Sequence, residues 1–274
     1  MVRTSISLGA LAFAAGALLW QAPPARAGSA CDAPEDITAN IAPLPHVAEA
    51  LKPGGTLNVL TVGSATVFNP SESLQPGTIT GQALGLGPAR ELAAPTLSPT
   101  AFPLQMAQAL EAAVPGASVK VAVRGGRGMA ATEMLDILRT ETAAAHYDLV
   151  IWQTGTVEAV RNVPTGAFYQ TLSDGSAVVA AAGADLVLVD PQFSRFLHAN
   201  ADVDSYMQAL QEIAAQPGVT LFHRFELMRH WSGAGQIDLE RTPRPHRLRM
   251  VEQLHACLGQ ALARFVAASA RDTQ

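Results

Sequence analysis

Ser64 lies in Gly63-Ser64-Ala65, directly after the apolar run Leu57–Val62. In α/β proteins functional groups collect where a first strand hands over to its loop. A serine hydroxyl there is a weak nucleophile. To attack a carbonyl it needs a base within hydrogen-bond reach, a group that orients the base, and donors aimed at the anionic intermediate. His246 is the candidate base, with Asp238 or Glu240 to orient it. Each has a plainer reading. Adjacent strand residues point to opposite faces, so Ser64 is expected to aim away from a pocket unless the turn is remodelled, and to bond its own backbone instead. His246 stands among Arg241, Arg244, Arg247 and Arg249, whose like charge would keep it neutral in an exposed loop. That basic loop is either solvated or a contact for an acidic polysaccharide or lipid headgroup.

Other chemistry-bearing residues are sparse. His223, His230 and His255 lack metal-ligand spacing, so no metal site is expected. The run Gly125–Gly128 resembles part of a phosphate cradle. It lacks the Gly-x-Gly-x-x-Gly register and the acidic residue a dinucleotide would want, so no cofactor is expected. Asp190 closes an apolar run and is either a pocket carboxylate or a cap.

These residues need a frame. Leu57–Val62, Val119–Val123, Asp148–Gln153, Asp185–Val189 and Val219–Phe222 are short apolar runs of the kind buried on both faces of a parallel sheet. Helical spacing runs between them, over Ala101–Val114, Met129–Thr142, Gly166–Ala182 and Val203–Ala215. It recurs after them, over Arg224–Trp231 and Val251–Ala268. Alternation of this kind predicts a three-layer α/β fold: a five-stranded parallel sheet with helices on both faces. Right-handed crossovers then bring Gly63-Ser64, Gly125–Gly128, Gly155–Val157 and Asp190–Gln192 to one sheet edge.

The chain has 274 residues and a formal charge of −5, with no clustered basic face long enough for nucleic acid. Residues 1–27 read as a signal peptide, with Arg3, an apolar Ile6–Trp20 and the cleavage site Ala25-Arg26-Ala27. The apolar run is shorter than the roughly 20 residues of a spanning helix, so no membrane span is expected after cleavage. A periplasmic or secreted protein follows. Residues 28–53 form a Pro-containing N-terminal arm and 54–274 one α/β domain. Within it, 66–99 is a Gly/Pro/Ser/Thr-rich insertion or lid. Cys31 and Cys257 are the only two cysteines, and in an oxidising compartment an even count invites pairing; two free buried thiols are the alternative.

The segments DLVIWQTGT (Asp148–Thr156), LVLVDPQF (Leu186–Phe193), VTLFHRFELMRHW (Val219–Trp231) and ACLGQALA (Ala256–Ala263), in this order and spacing, resemble the SGNH/GDSL hydrolase superfamily. The resemblance implies a flavodoxin-like fold and a serine esterase or lipase. Its nucleophile follows the first strand, and an Asp-x-x-His pair precedes the last helix. The oxyanion hole comes from the serine N–H, a glycine after the second strand and an asparagine after the third. Carried onto this chain, Ala65 stands at the nucleophile position and Gly128 at the glycine. Gly155-Thr156-Val157-Glu158 replaces Gly-Thr-Asn-Asp, so Val157 stands where the asparagine would. The Asp and His fall near His246 and Arg249.

A methyl group cannot attack, a valine side chain cannot donate, and an arginine stays protonated. The expectation is therefore a catalytically silent, exported esterase-like protein. It keeps a cleft for an acyl or carbohydrate ester, or for a protein partner. The alternative is an active ester hydrolase with a rebuilt site using Ser64 and His246.

Overall fold

The structure is a computed structural model. It describes residues 31–39, 42–71 and 97–271, with backbone only for Ala65 and 269–271. The expected signal peptide and residues 72–96 of the insertion lie outside the described residues.

Five strands form one parallel sheet in the order β2-β1-β3-β4-β5. They are β1 (Thr56–Gly63), β2 (Ser118–Gly125), β3 (Leu149–Gln153), β4 (Asp185–Val189) and β5 (Val219–Phe222). Every residue of β3, β4 and β5 is buried, because apolar side chains are needed on both faces when helices cover both. Strand alternation then sorts the core into two layers. Leu57, Val59, Leu149, Ile151, Val187 and Phe222 face one layer. Leu60, Val62, Val150, Trp152, Leu188 and Leu221 face the other.

The first layer is covered by α2 (Pro45–Ala50), α3 (Phe102–Ala113), α9 (Arg224–Gly233) and α10 (Arg247–Arg271). The second is covered by α4 (Ala131–Ala144), α6 (Thr165–Ala181), α7 (Arg195–Asn200) and α8 (Val203–Ala214). Two short helices complete the set, α1 (Glu35–Thr38) in the arm and α5 (Thr156–Arg161) after β3. The three-layer expectation holds. No helix among the described residues is long and apolar enough to cross a membrane.

The arm departs from a merely polar tether. Leu44 and Val47 are fully buried, Trp231 Nε1 donates to the Asp32 carbonyl (2.9 Å), and Cys31 is bonded to Cys257 of α10. The disulfide ties the first described residue to the final helix across 226 positions. At the other interruption, the Ser98 N–H donates to the Phe68 carbonyl (2.7 Å). Phe68 and Ser98, on either side of residues 72–96, are thus held together.

Candidate functional site

The C-terminal ends of β1, β2, β3 and β4 put the expected loops on one edge of the sheet. Gly63 and Gly125 are register partners there. They approach so closely that a Cβ on Gly125 would stand 1.9 Å from the Gly63 carbonyl oxygen, and Gly125 has φ +126°. Glycine is required at that position for both reasons.

After Gly63 the chain winds at once into a 3-10 turn, Ala65–Val67. The turn carries part-buried Ser64 to the Gln153 side chain at the end of β3. Gln153 Nε2 donates to Ser64 Oγ (3.1 Å) and to Thr66 Oγ1 (3.0 Å), and the two hydroxyls are 3.4 Å apart. Ser64 therefore bonds side chains rather than its own backbone. Its neighbour is a neutral amide, which cannot accept a proton as a base would.

The third-strand turn starts α5 on Gly155, which has φ +93°. Thr156 heads the helix, its Oγ1 buried without a hydrogen-bond partner among the described residues. Val157 is buried, and Glu158 is buried more deeply still. One Glu158 oxygen accepts the Ala131 N–H at the start of α4 (2.5 Å). The other accepts the Gly155 N–H (2.8 Å) and the Thr154 hydroxyl (3.4 Å). This carboxyl clamps two helix N-termini, whose partial positive charge suits an acid. Burial nevertheless outweighs the donors and holds its pKa above the ordinary range. Gly128, in the left-handed region at φ +65°, lies in the turn that leads to α4.

Asp190 is buried at the end of β4. Its Oδ1 accepts the Phe225 N–H (2.7 Å), its carbonyl accepts Arg224 Nε (3.0 Å), and its Oδ2 is 3.8 Å from His223 Nδ1. Burial raises the Asp190 pKa, and the neighbouring carboxyl raises that of His223. Asp190 is thus a fastening between β4 and α9.

His246, just before α10, and Arg249, in its first turn, are both exposed, and they contact each other, Arg249 Nη2 to His246 Nδ1 at 3.1 Å. The structure does not bring His246 to Ser64. Of the two carboxylates considered beside His246, Asp238 takes a bidentate grip from Arg195 (2.8 and 3.1 Å) and Glu240 a third bond from Nη1 (3.1 Å). Arg195 also donates to Ser232 and lies over the Phe193 ring, 5.9 Å from guanidinium carbon to centroid. Arg195 holds the Asp238 carboxyl below its ordinary pKa even against the opposing effect of burial. This cluster forms the polar wall of a cleft whose apolar wall is Met228, Ile237, Leu239 and Leu254.

Over residues 30–272 the sequence matches the family model described as the Non-GDSL lipase-like family. The chain belongs to this family. Solved structures agree on the architecture. A variant of Axe2, an acetyl-xylooligosaccharide esterase from Geobacillus stearmophilus, superposes with a TM-score of 0.56 at 14% identity over 79% of this chain and 96% of the esterase. The lipase/acylhydrolase from Enterococcus faecalis gives 0.52 at 15% identity over 76% of this chain and 95% of the other. LAE5, an α/β hydrolase from the Lake Arreo metagenome, gives 0.52 at 14%, over 77% and 99%. At such identities the likeness is one of fold. No curated protein matches.

Within this family member, Gln153 beside Ser64 and Arg195 at the cleft are groups to which sequence reading gave no role, while Asp238 and Glu240 partner Arg195 rather than His246. Gln153 was in view as part of DLVIWQTGT, but its role depends on Ser64, 89 positions away. Asp238-Leu239-Glu240-Arg241 has the Asp-x-x spacing that the resemblance implies ahead of the last helix, with arginine in the histidine's place. Asp238 is mostly buried and fixed by Arg195, in contrast to exposed His246 and Arg249. Arg195 had no local signal at all.

Proposed function

We propose that this Non-GDSL family member is an exported, catalytically silent protein that uses its retained cleft to bind an acyl or carbohydrate ester. The observation that carries the reading is the partnership of Ser64. Its Oγ bonds Gln153 and Thr66, and none of the seven histidines is hydrogen-bonded to it. Without a base the hydroxyl stays protonated near neutral pH. Ala65 and Val157 occupy positions where the superfamily pattern asks for a nucleophile and a donor, and an arginine, Arg249 or, in the register of Asp238, Arg241, stands in the histidine's place. Losing one donor of an oxyanion hole alone costs about 3–4 kcal/mol of transition-state stabilisation.

The ligand class follows from the family and from the cleft. Met228, Ile237 and Leu254 form the apolar side of this small cleft, and Arg195, Asp238 and Glu240, paired with one another, form its polar side. Export is supported by the leader-like residues 1–27 and by the Cys31–Cys257 bond, which persists in oxidising compartments.

The test is hydrolysis of a short-chain aryl ester by purified protein and by Ser64→Ala. The expected result is no turnover above buffer in either. Turnover that vanishes in Ser64→Ala overturns silence and makes the chain an ester hydrolase with a rebuilt site.

A further inference from the structure

The nine residues Arg241–Arg249 carry four arginines and no carboxylate, while the rest of the chain carries a net charge of −9. The stretch is structured: His246 closes a 3-10 turn (Arg244–His246), and α10 begins at Arg247. Arg247 Nε donates to the Thr242 carbonyl (2.9 Å), pinning the loop to the helix start. Among the described residues, Arg241 is the one of the four within ion-pair distance of a carboxylate, Asp238 at 3.9 Å, and that carboxylate already serves Arg195. Among the described residues, neither Arg244 nor Arg249 forms a salt bridge, although Glu252 follows one turn into the helix.

Apart from the Arg247 bond to Thr242, the helix start gains nothing from these charges. Cations in the first turn of a helix oppose its positive end, where acidic residues would be stabilising. The fold therefore holds several positive charges together, exposed and unneutralised. Between two of them stands Leu248, 49% exposed, the most exposed large hydrophobic residue described. Phe196, 42% exposed, lies beside the start of the loop, its N–H donating to Glu240 (3.3 Å).

We infer that the Arg241–Arg249 loop and the first turn of α10 form a docking surface for an anionic lipid bilayer. Arginines attract the headgroup layer, and Leu248 enters the acyl boundary, a pairing typical of interfacial binding. A soluble polyanion would use the same arginines but has no use for an exposed leucine among them. The inference stands apart from the ester-binding reading, because Ser64 and the cleft play no part in it.

The experiment is sedimentation of the full chain with phosphatidylcholine vesicles, with and without phosphatidylglycerol. Binding is expected only with phosphatidylglycerol and should weaken as salt is added. An arginine near an anionic surface is worth about fivefold in affinity, so the double variant Arg244→Gln/Arg249→Gln should bind about 25-fold more weakly. Leu248→Ser should weaken binding while leaving its salt dependence unchanged. All three positions are exposed, so circular dichroism should show intact folding. No binding, equal binding to both vesicles, or an arginine variant that binds like the parent overturns the inference. So does dextran sulfate binding that matches vesicle binding while Leu248→Ser has no effect on either, which would assign the surface to a soluble polyanion.

Discussion

Replacing Glu158 tests whether a buried carboxyl holds the candidate edge together. In Glu158→Ala the Ala131 and Gly155 N–H groups both lose their acceptor inside the protein, and the Thr154 hydroxyl loses a weaker one. An unsatisfied buried donor costs about 1–3 kcal/mol, so two backbone donors give about 2–6 kcal/mol. Against this stands relief of burying an acid, visible in the raised Glu158 pKa. The expected net loss is about 3 kcal/mol, a fall in melting temperature of about 6–12 °C for a domain of this size. Glu158→Gln keeps one oxygen and turns an NH2 toward the remaining donor, so its loss should be about 1 kcal/mol. The assay is urea unfolding near neutral pH with thermal melts alongside. Sign also matters. A carboxyl whose folded pKa is raised stabilises most below its ordinary value of 4.5, and that contribution falls as pH rises toward the folded value. Glu158→Gln should remove this slope. An alanine variant within about 0.5 kcal/mol of the parent, or a glutamine variant less stable than alanine, would refute the clamp.

Two further outcomes follow from buried groups. His255 Nδ1 accepts the Phe102 N–H (3.2 Å) at the start of α3, and burial pushes its pKa down to about 3 from 6.5. Its contribution is full above about pH 6.5 and lost as pH falls, at up to about 1.4 kcal/mol per pH unit, because the unfolded chain takes the proton first. His255→Gln, whose oxygen can replace Nδ1, should flatten that slope; urea midpoints at pH 7, 5 and 4 measured against the parent isolate it from the opposite slope of His223. Replacing both Cys31 and Cys257 with serine opens a loop spanning 226 positions. Chain entropy sets an upper loss of about 5 kcal/mol. Calorimetry should show a much lower melting temperature, and an unchanged one would mean the arm is held by Leu44, Val47 and Trp231 alone.

The strands were legible because each is a short, predominantly apolar run flanked by turn residues. β3 and β4 can be read directly from LVIWQ and DLVLV. The six-residue helices α5 and α7 were not, since so few residues establish no period. α2 was hidden by its own first residue: Pro45 reads as a breaker but is well tolerated at a helix start. α10 begins four residues earlier than its apolar pattern, because Arg247–Met250 are ordered by the Thr242 carbonyl rather than by a buried stripe. The missing site information has a common cause. Ser64 with Gln153, Ala131 with Glu158 and Arg195 with Asp238 are pairs separated by 89, 27 and 43 positions, so no local window contains both members.

The bridge between Cys31 and Cys257 also sets an order of events. Its second sulfur belongs to the final helix, so the covalent ring cannot close until almost every residue has been synthesised and delivered to an oxidising space. Once closed, a single protease cut anywhere between the two cysteines leaves both fragments in one molecule. Such a cut would pass unnoticed by size under non-reducing conditions and separate only when thiol is added.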